Sequence, residues 1–132
     1  MKPHDPAMPC PCGGPRYTSC CGRCLDGDLP APDALTLMRS RYTAFVLDRR
    51  DYLLATWHRD TRPATIEAPE PELRWLGLSI RAHSAGGDSA TVEFVARSKL
   101  GGRARRLHER SRFVREAGRW YYLDGEFPEG DG

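Results

Sequence analysis

The chain has 132 residues, 39% of them apolar and 29% charged, and a formal net charge of +2. This length and composition are typical of one soluble globular domain with a small appendage, and the net charge alone identifies no partner. Apolar stretches are only a few residues long, as at 43–47, so no transmembrane helix is expected. Residues 1–6 lack the apolar segment of a signal peptide, so we expect a cytoplasmic protein with reduced thiols.

The first 30 residues are rich in proline and glycine and contain all five cysteines of the chain. Such a local cluster in a reducing compartment indicates metal binding rather than a disulfide framework. Cys10-Pro11-Cys12 and Cys20-Cys21 are two short ligand pairs, and four thiolates suit tetrahedral Zn²⁺. Four protein ligands leave no open position, which predicts a closed structural site. Such a site can supply on the order of 10 kcal/mol of folding free energy.

The fifth cysteine leaves the ligand set open. Cys24 follows Cys21 by three residues, a common metal-ligand spacing, so Cys10 and Cys12 could be joined by any two of the last three cysteines. His4 is a further substitute ligand. The alternative to metal binding is a set of redox-active thiols in which the two vicinal cysteines form a strained, labile disulfide.

Two helices are predicted next. Residues 32–48 begin with Pro32 and Asp33, which suit a first helical turn. Apolar residues then recur at spacings of three and four and form one stripe, which consists of Leu35, Met38, Tyr42 and Phe45. Arg39, Ser40 and Thr43 lie off this stripe. Residues 51–57 are predicted to form a second, short helix. Residues 59–71 contain three prolines and are predicted to be a connector.

Four strands are predicted after the connector, at 72–82, 89–98, 104–116 and 119–124. The breaks between them contain Gly86-Gly87, Gly101-Gly102 and Gly118, which predicts three hairpins and a four-stranded antiparallel meander. The apolar face of this sheet needs a cover, and the helix at 32–48 supplies it. The prediction is an α+β domain.

Strand alternation places one carboxylate among apolar side chains. Glu109 shares a face of the third strand with Leu107, Ser111 and Phe113, and a buried carboxylate is costly unless paired. It is either a structural anchor, bonded to Arg41 or to an aromatic donor, or a base in an apolar pocket. The residues predicted to line that pocket are Tyr42, Trp57, Trp75, Phe94, Glu109, Ser111 and Tyr122.

The other face of the third strand is basic and carries Arg106, His108, Arg110 and Arg112. The wider basic row consists of Arg103, Arg105, Arg106, Arg110, Arg112, Arg115 and Arg119. Its charge is diluted by Glu109, Glu116, Asp124, Glu126 and Glu129. A solvated face explains such a row; nucleic acid, a ribosome or an anionic surface is the alternative. His58 is predicted at a helix end and His83 in an exposed hairpin.

The run Cys-Pro-Cys-Gly-Gly-Pro-x-Tyr-x-x-Cys-Cys-Gly, residues 10–22, resembles the SEC-C motif. That motif is the zinc knuckle at the C-terminus of the SecA translocase ATPase and on many small bacterial proteins. It usually has eight residues between its ligand pairs, where this chain has seven. The resemblance implies one structural Zn²⁺ bound by Cys10, Cys12, Cys20 and Cys21, with Cys24 as the alternative ligand.

The segments 37–46, 52–58, 75–78, 109–113 and 118–125 are similar to the YchJ family, and the resemblance spans nearly the whole chain. It implies an SEC-C-like knuckle at 1–28, followed at 30–128 by a cone-shaped domain similar to nuclear transport factor 2. It implies no known activity. SEC-C knuckles of the translocase contact the SecB chaperone and the membrane surface, so a protein partner at the knuckle is expected by analogy.

Three functional hypotheses follow. The first is a non-enzymatic zinc-containing protein whose knuckle docks a protein partner and whose cone holds a small ligand. The second is a cone-fold enzyme that uses Glu109 in an apolar pocket. The third is a nucleic-acid or ribosome-associated adaptor that uses the arginine-rich face of the sheet.

Overall fold

The computed structural model describes residues 8–128. A 3-10 turn, Tyr17–Ser19, and helix α1, Gly22–Leu25, form the N-terminal part. Two helices follow, α2 (Ala34–Val46) and α3 (Arg50–Ala55). Four strands complete the fold: β1 (Leu73–Gly86), β2 (Ser89–Leu100), β3 (Arg103–Glu116) and β4 (Arg119–Glu126). The α+β class is confirmed. His4 and Glu129 lie outside the described residues.

The four strands form one antiparallel sheet in the order β1-β2-β3-β4, as predicted. β1 continues four residues past its predicted end at 82, because pairing extends as far as Gly86 opposite Ser89. The β3–β4 turn has positive φ at both central residues, 53° at Ala117 and 81° at Gly118. This conformation is typical of the two-residue type I′ turn, whose twist matches that of the strands it joins.

Helix α2 is buried on two sides. Met38 and Tyr42 pack on the sheet, as the apolar stripe predicts, while Phe45 at its end is 41% exposed. The polar residues off the stripe do not face solvent, since Ser40 and Thr43 are 0% exposed. The Ser40 hydroxyl lies 2.7 Å from the hydroxyl of Tyr52 on α3. The other side of α2 therefore contacts α3 and the knuckle.

The segment after α3 adds to the free edge of β4. Trp57 and Tyr122 form an isolated parallel bridge. The His58 amide donates to the Tyr122 carbonyl, and the Tyr122 amide donates to the Thr56 carbonyl, both at 2.8 Å. This pairing, which the sequence pattern does not predict, closes one side of the cone. No helix within residues 8–128 is both long enough and apolar enough to cross a membrane.

Candidate metal centre and cavity

The knuckle is built from two tight backbone turns that bring its cysteines together. The Gly13 amide donates to the Cys10 carbonyl at 3.0 Å, and Gly13 has a φ of 103°, which favours glycine. In the second turn, the Cys20 amide donates to the Tyr17 carbonyl at 3.0 Å. The two turns approach so closely that a methyl group on Gly14 would lie 2.6 Å from the Cys20 Sγ.

Four cysteine sulfurs converge in this knuckle. The Sγ atoms of Cys10, Cys12, Cys20 and Cys21 all lie within 4.8 Å of one another, and Cys12 and Cys20 are 3.5 Å apart. Metal–sulfur bonds of 2.3 Å in a tetrahedron separate the sulfurs by about 3.8 Å, so the spacing fits one tetrahedral ion. Cys24 lies outside this cluster and instead lines a separate cavity with Tyr52.

The chemistry of this donor set also fits a cation. Hydrogen bonds from its neighbours lower the pKa of Cys10, and hydrogen bonding to Cys10 raises the pKa of Cys21. Burial raises the pKa of Cys20 to about 12. Cys10, Cys20 and Cys21 thus compete for negative charge, and a bound metal ion would remove the competition by holding its sulfur ligands as thiolates. The cluster could hold a thiophilic metal ion.

Helix α2 supplies polar groups next to the sulfur cluster. The Thr43 Oγ1 lies 3.8 Å from the Cys10 Sγ. The Arg39 Nη1 donates to the Cys12 carbonyl at 3.4 Å and lies 4.0 Å from the Cys12 Sγ. Donors of this kind orient metal ligands and disperse the charge of thiolates.

A second attachment fixes the other end of the knuckle to the cone. Asp26 accepts hydrogen bonds from the Tyr17 hydroxyl at 2.8 Å and from the Arg49 Nη1 at 2.7 Å. Arg49 also donates to the Leu25 carbonyl at 2.9 Å. Because the buried cysteines belong to the same apolar cluster as Leu37 of α2, the knuckle and the cone share one continuous core.

A cavity of about 200 Å³ lies between α2 and the sheet. The side chains of all seven residues predicted to line a pocket surround it. The remaining lining residues are Met38, Arg41, Phe45, Ala96 and Leu107. Its walls are mainly aromatic and aliphatic, with Tyr42 and Trp75 in edge contact at 5.6 Å and Trp57 and Tyr122 at 5.1 Å.

Glu109 is the carboxylate of this cavity. Its Oε2 accepts a hydrogen bond from the Ser111 hydroxyl at 2.8 Å and one from the Tyr122 hydroxyl at 3.1 Å. Burial and the adjacent Glu109 raise the pKa of Tyr122, so its hydroxyl remains a donor. Gly125 leaves room for the carboxylate, because a side chain there would overlap it. Of the partners predicted for Glu109, Tyr122 makes the hydrogen bond.

Arg41 is a buried cation in the same wall, which sequence reasoning named only as a partner for Glu109. It is 4% exposed, and its Nη1 donates to the Leu53 carbonyl at 2.9 Å and to the Thr56 Oγ1 at 2.8 Å. Its guanidinium carbon lies 4.5 Å from the ring centre of Tyr122. Burial lowers the pKa of Arg41 to about 10. Its position three residues after Met38 was the signal that it faces the cavity.

Comparison with known proteins identifies the family. Residues 33–125 match the model described as the middle, nuclear transport factor 2-like domain of YchJ. The chain belongs to the YchJ family. A UPF0225 protein of Methylibium petroleiphilum is 71% identical over 124 residues, covering 93% of this chain and 90% of that one. A UPF0225 protein of Bordetella parapertussis is 58% identical over 129 residues, covering 95% and 97%.

Two solved structures are similar to this YchJ-family chain. A solution structure of an SEC-C motif containing protein from Rhodopseudomonas palustris has a TM-score of 0.80 at 35% identity, covering 91% of this chain and 98% of that one. A crystal structure of an SEC-C motif containing protein from Psychrobacter arcticus has a TM-score of 0.72 at 29% identity, covering 89% and 80%. These names confirm the SEC-C relationship and state no reaction or ligand.

The three histidines of this family member that lie within residues 8–128 are outside the cavity. His58 is 6% exposed; its Nδ1 accepts from the Asp60 amide at 3.1 Å, and its Nε2 lies 3.2 Å from the Glu116 carboxylate. His108 lies on the outer face, as predicted, but its side chain is only 10% exposed and bonds to Glu93 at 2.7 Å. It is therefore part of a partly buried hydrogen-bonded pair rather than of an exposed basic face. His83 is exposed, as predicted.

Much of the predicted basic row is paired with carboxylates across the strands. Arg112 makes two hydrogen bonds of 2.7 Å to Asp124. Arg110 lies 2.6 Å from Glu126, and Arg115 lies 3.0 Å from Asp88 (the acceptor contributed by the β1–β2 turn). The hydrogen bond and the positive charge of Arg112 lower the pKa of Asp124. The middle of the sheet is therefore a neutralised surface.

Proposed function

We propose that this protein is a non-enzymatic, zinc-stabilised binding module of the cytoplasm. One Zn²⁺ bound by Cys10, Cys12, Cys20 and Cys21 has a structural role, and the cavity beneath α2 takes a small, largely apolar ligand. The observation that carries the proposal is the cavity itself, because one oriented carboxylate stands among aromatic walls. The cytoplasm suits the metal site because it keeps thiols reduced.

Zinc is the favoured ion because four sulfur donors in a tetrahedral arrangement select it over harder cations. The metal site is closed by protein on the side that contacts Thr43 and Arg39, and all four ligand positions are cysteines. A closed site of this kind stabilises the fold and leaves no position for a substrate. The role proposed for the ion is therefore to stabilise an N-terminal segment that has a small core of its own.

Metal analysis of protein purified without chelator tests this part of the proposal. We expect one Zn²⁺ per chain, and we expect Cys20→Ser to lose it. Cys24→Ser is the matched control, because it makes the same chemical change four residues away, outside the sulfur cluster. Full metal content in Cys20→Ser, or loss of the metal in Cys24→Ser, would show that the ligand set is wrong.

The size and charge of the cavity indicate the class of ligand. An apolar cavity of roughly 150 Å³ accommodates benzene, so about 200 Å³ holds one ring with a short substituent. The negative charge of Glu109 is offset by Arg41, which favours a neutral ligand. The Glu109 Oε1 accepts no hydrogen bond from residues 8–128, so it is available to a ligand donor. A small ring compound that carries one hydroxyl group satisfies these conditions.

Phenol, toluene and benzoate are suitable probes for this cavity, with binding followed by titration calorimetry. We expect phenol to bind more tightly than toluene, and Glu109→Gln to weaken phenol binding by roughly 10-fold, because it removes a charged acceptor. Glu93→Gln is the matched control, since Glu93 lies on the outer face of the sheet. Equal effects of the two substitutions, or tightest binding of benzoate, would contradict the assignment of Glu109 as the anchor.

An enzymatic use of the cavity is the second candidate, and one observation favours it. A carboxylate beside a tyrosine hydroxyl, as in Glu109 and Tyr122, is also the pairing that catalyses proton transfer in ketosteroid isomerase. Here, however, the tyrosine donates to the carboxylate itself, which supports binding over catalysis. Deuterium exchange next to the carbonyl of a small cyclic ketone, abolished by Glu109→Gln, would favour the enzyme.

Docking of a protein partner on the knuckle is a further part of the proposal. The knuckle exposes Arg16, Ser19 and Arg23 to solvent. Co-purification from the native host tests it, with Arg16→Glu as a variant that keeps all four sulfur ligands. We expect this substitution to reduce recovery of a specific partner, and unchanged recovery of every co-purifying protein would remove this surface from the proposal.

A further inference from the structure

The basic residues of the sheet fall into two groups with different surroundings. Arg110 and Arg112, in the middle of the sheet, and Arg115, beside the β3–β4 turn, are paired with carboxylates. The second group surrounds the turn between β2 and β3 at one end of the sheet. We call it the cationic corner, and its members are Arg74, Arg97, Lys99, Arg103, Arg105 and Arg106.

Strand register places like charges of the cationic corner directly opposite one another. Arg97 pairs with Arg106 across β2 and β3, and Arg74 pairs with Lys99 across β1 and β2. Like charges at directly opposed positions destabilise a sheet. These two pairs lie on the outer face of the sheet, and Arg103 and Arg105 lie on the inner face, so basic side chains surround this end of the sheet on both faces.

Few carboxylates reach this corner. No ion pair joins Arg97, Arg103 or Arg105 to an acidic side chain within the part of the chain that the structure describes. One acidic side chain at the turn is that of Glu72, whose Oε1 would lie 3.1 Å from a methyl group on Gly101. All six members of the corner are exposed to solvent. The positive charge of Arg97, Arg103 and Arg105 is thus not compensated by an ion pair within residues 8–128, in contrast to that of Arg110 and Arg112.

Aromatic side chains border the part of the corner that lies on the inner face of the sheet, Arg103 and Arg105. Arg105 pairs with Ser98, which pairs in turn with Trp75, so Trp75 and Arg105 lie in one row across three strands. Phe45 lies 6.2 Å from Trp75 and is 41% exposed. A basic surface beside exposed rings is the combination that binds single-stranded nucleic acid, since arginines contact phosphates while bases stack on rings.

We propose that the cationic corner binds a single-stranded nucleic acid through its phosphate backbone, with Phe45 as a stacking position. Charge complementarity selects a polyanion, and the neighbouring aromatic ring distinguishes a strand with unpaired bases from an acidic protein or a lipid surface. The proposal does not depend on the zinc site, and the residue it shares with the lining of the cavity is Phe45.

Fluorescence anisotropy with a labelled single-stranded RNA of about 20 nucleotides tests the proposal across a range of salt concentrations. We expect Arg103→Gln with Arg105→Gln to weaken binding by about 10-fold at low salt and to lower the slope of log K against log salt by about 1.4, since each phosphate contact contributes roughly 0.7. Arg110→Gln with Arg112→Gln removes the same charge from ion pairs and is the matched control, expected to change binding less than about twofold. Phe45→Ala should weaken binding without changing the slope.

Several outcomes would overturn the proposal. One is equal loss of affinity in the two double variants, which would mean that net charge alone governs binding. Another is tighter binding of a polyglutamate peptide or of vesicles containing phosphatidylglycerol. The third is that the native protein binds no RNA and the Arg103→Gln, Arg105→Gln variant self-associates. In that case the role of the two arginines would be to protect a free strand edge from pairing with another chain. Similar affinities for RNA and single-stranded DNA support recognition of the backbone.

Discussion

Substitution of Gly14 by alanine tests the geometry of the metal centre with one methyl group. Gly14 lies in the loop between the two ligand pairs, and its added Cβ would lie 2.6 Å from the Cys20 Sγ and 3.4 Å from the Cys20 Cβ. Its backbone conformation is not the obstacle, since Gly14 is not among the residues with positive φ. The effect of the substitution should therefore fall on the position of one ligand.

The size of this effect follows from the contact distance. A relaxed contact needs about 3.6 Å, so the Cys20 sulfur must move by roughly 1 Å. Metal–sulfur bonds tolerate deviations of only about 0.2 Å, so the displaced sulfur leaves the coordination sphere or strains the loop. Overpacking of this kind costs about 1–3 kcal/mol, which corresponds to roughly 5- to 150-fold in a dissociation constant.

Competition with a chromophoric chelator measures the zinc affinity of the variant and of the native chain. We expect Gly14→Ala to weaken zinc binding by about 10- to 100-fold and to lower the midpoint of thermal unfolding. Gly86→Ala is the matched control, because a methyl group there meets no atom within 4 Å. Native zinc affinity in Gly14→Ala would refute both the packing argument and the place of Cys20 in the ligand set.

Two further predictions concern stability. Asp26→Ala removes hydrogen bonds to Tyr17 and Arg49, so we expect a loss of about 1–2 kcal/mol in urea unfolding of the zinc-loaded protein, with Asp26→Asn losing less. Burial raises the pKa of Tyr52 to about 12 and raises those of Tyr17 and Tyr122 as well. The stability they contribute is present below pH ~10 and is lost as pH rises through the folded pKa values, so tyrosinate absorbance should appear together with unfolding rather than before it.

The sequence was sufficient for the fold because its local patterns agree with one another. Glycine-containing breaks at 101–102 and 117–118 coincide with tight turns, and alternation along β3 placed Glu109 and Ser111 on the inner face where they are found. The cysteine ligand set needed the family resemblance, since spacing alone allowed Cys24. Family membership carries no information about the ligand of the cavity. The choice of ligand depends on how the side chains of α2 and of the sheet meet around the cavity.

Sequence patterns were misleading wherever polar residues meet a second layer of structure. Ser40 and Thr43 fall off the apolar stripe of α2, yet both are fully buried because α3 and the knuckle cover them. The basic row suggested one continuous charged face, but Arg112 is neutralised by Asp124 on the neighbouring strand. Cross-strand partners that lie 12 or more residues apart leave no periodic signal in the sequence.

The last prediction concerns α2, which is a wall of both the metal centre and the cavity. Thr43 faces the Cys10 sulfur, while Arg41 and Tyr42, its immediate neighbours in the chain, line the cavity. A helix held by the metal on one side presents a fixed wall on the other, so we expect removal of zinc to weaken phenol binding at the cavity. Linkage requires the reciprocal effect, in which phenol raises the affinity for zinc by the same factor.

Titration of phenol into zinc-loaded protein and into protein treated with chelator measures this coupling. Couplings between sites are typically 5- to 150-fold, and contact through a single helix places the expected value at the low end, about 5-fold. Thr43→Val, which keeps the shape of the side chain but removes the hydroxyl next to Cys10, should lower zinc affinity by roughly 10-fold and leave phenol binding to the zinc-loaded form unchanged. Circular dichroism shows whether the chelator-treated protein is folded. If it is folded and binds phenol as tightly as the zinc-loaded form, the two sites are independent and α2 does not couple them.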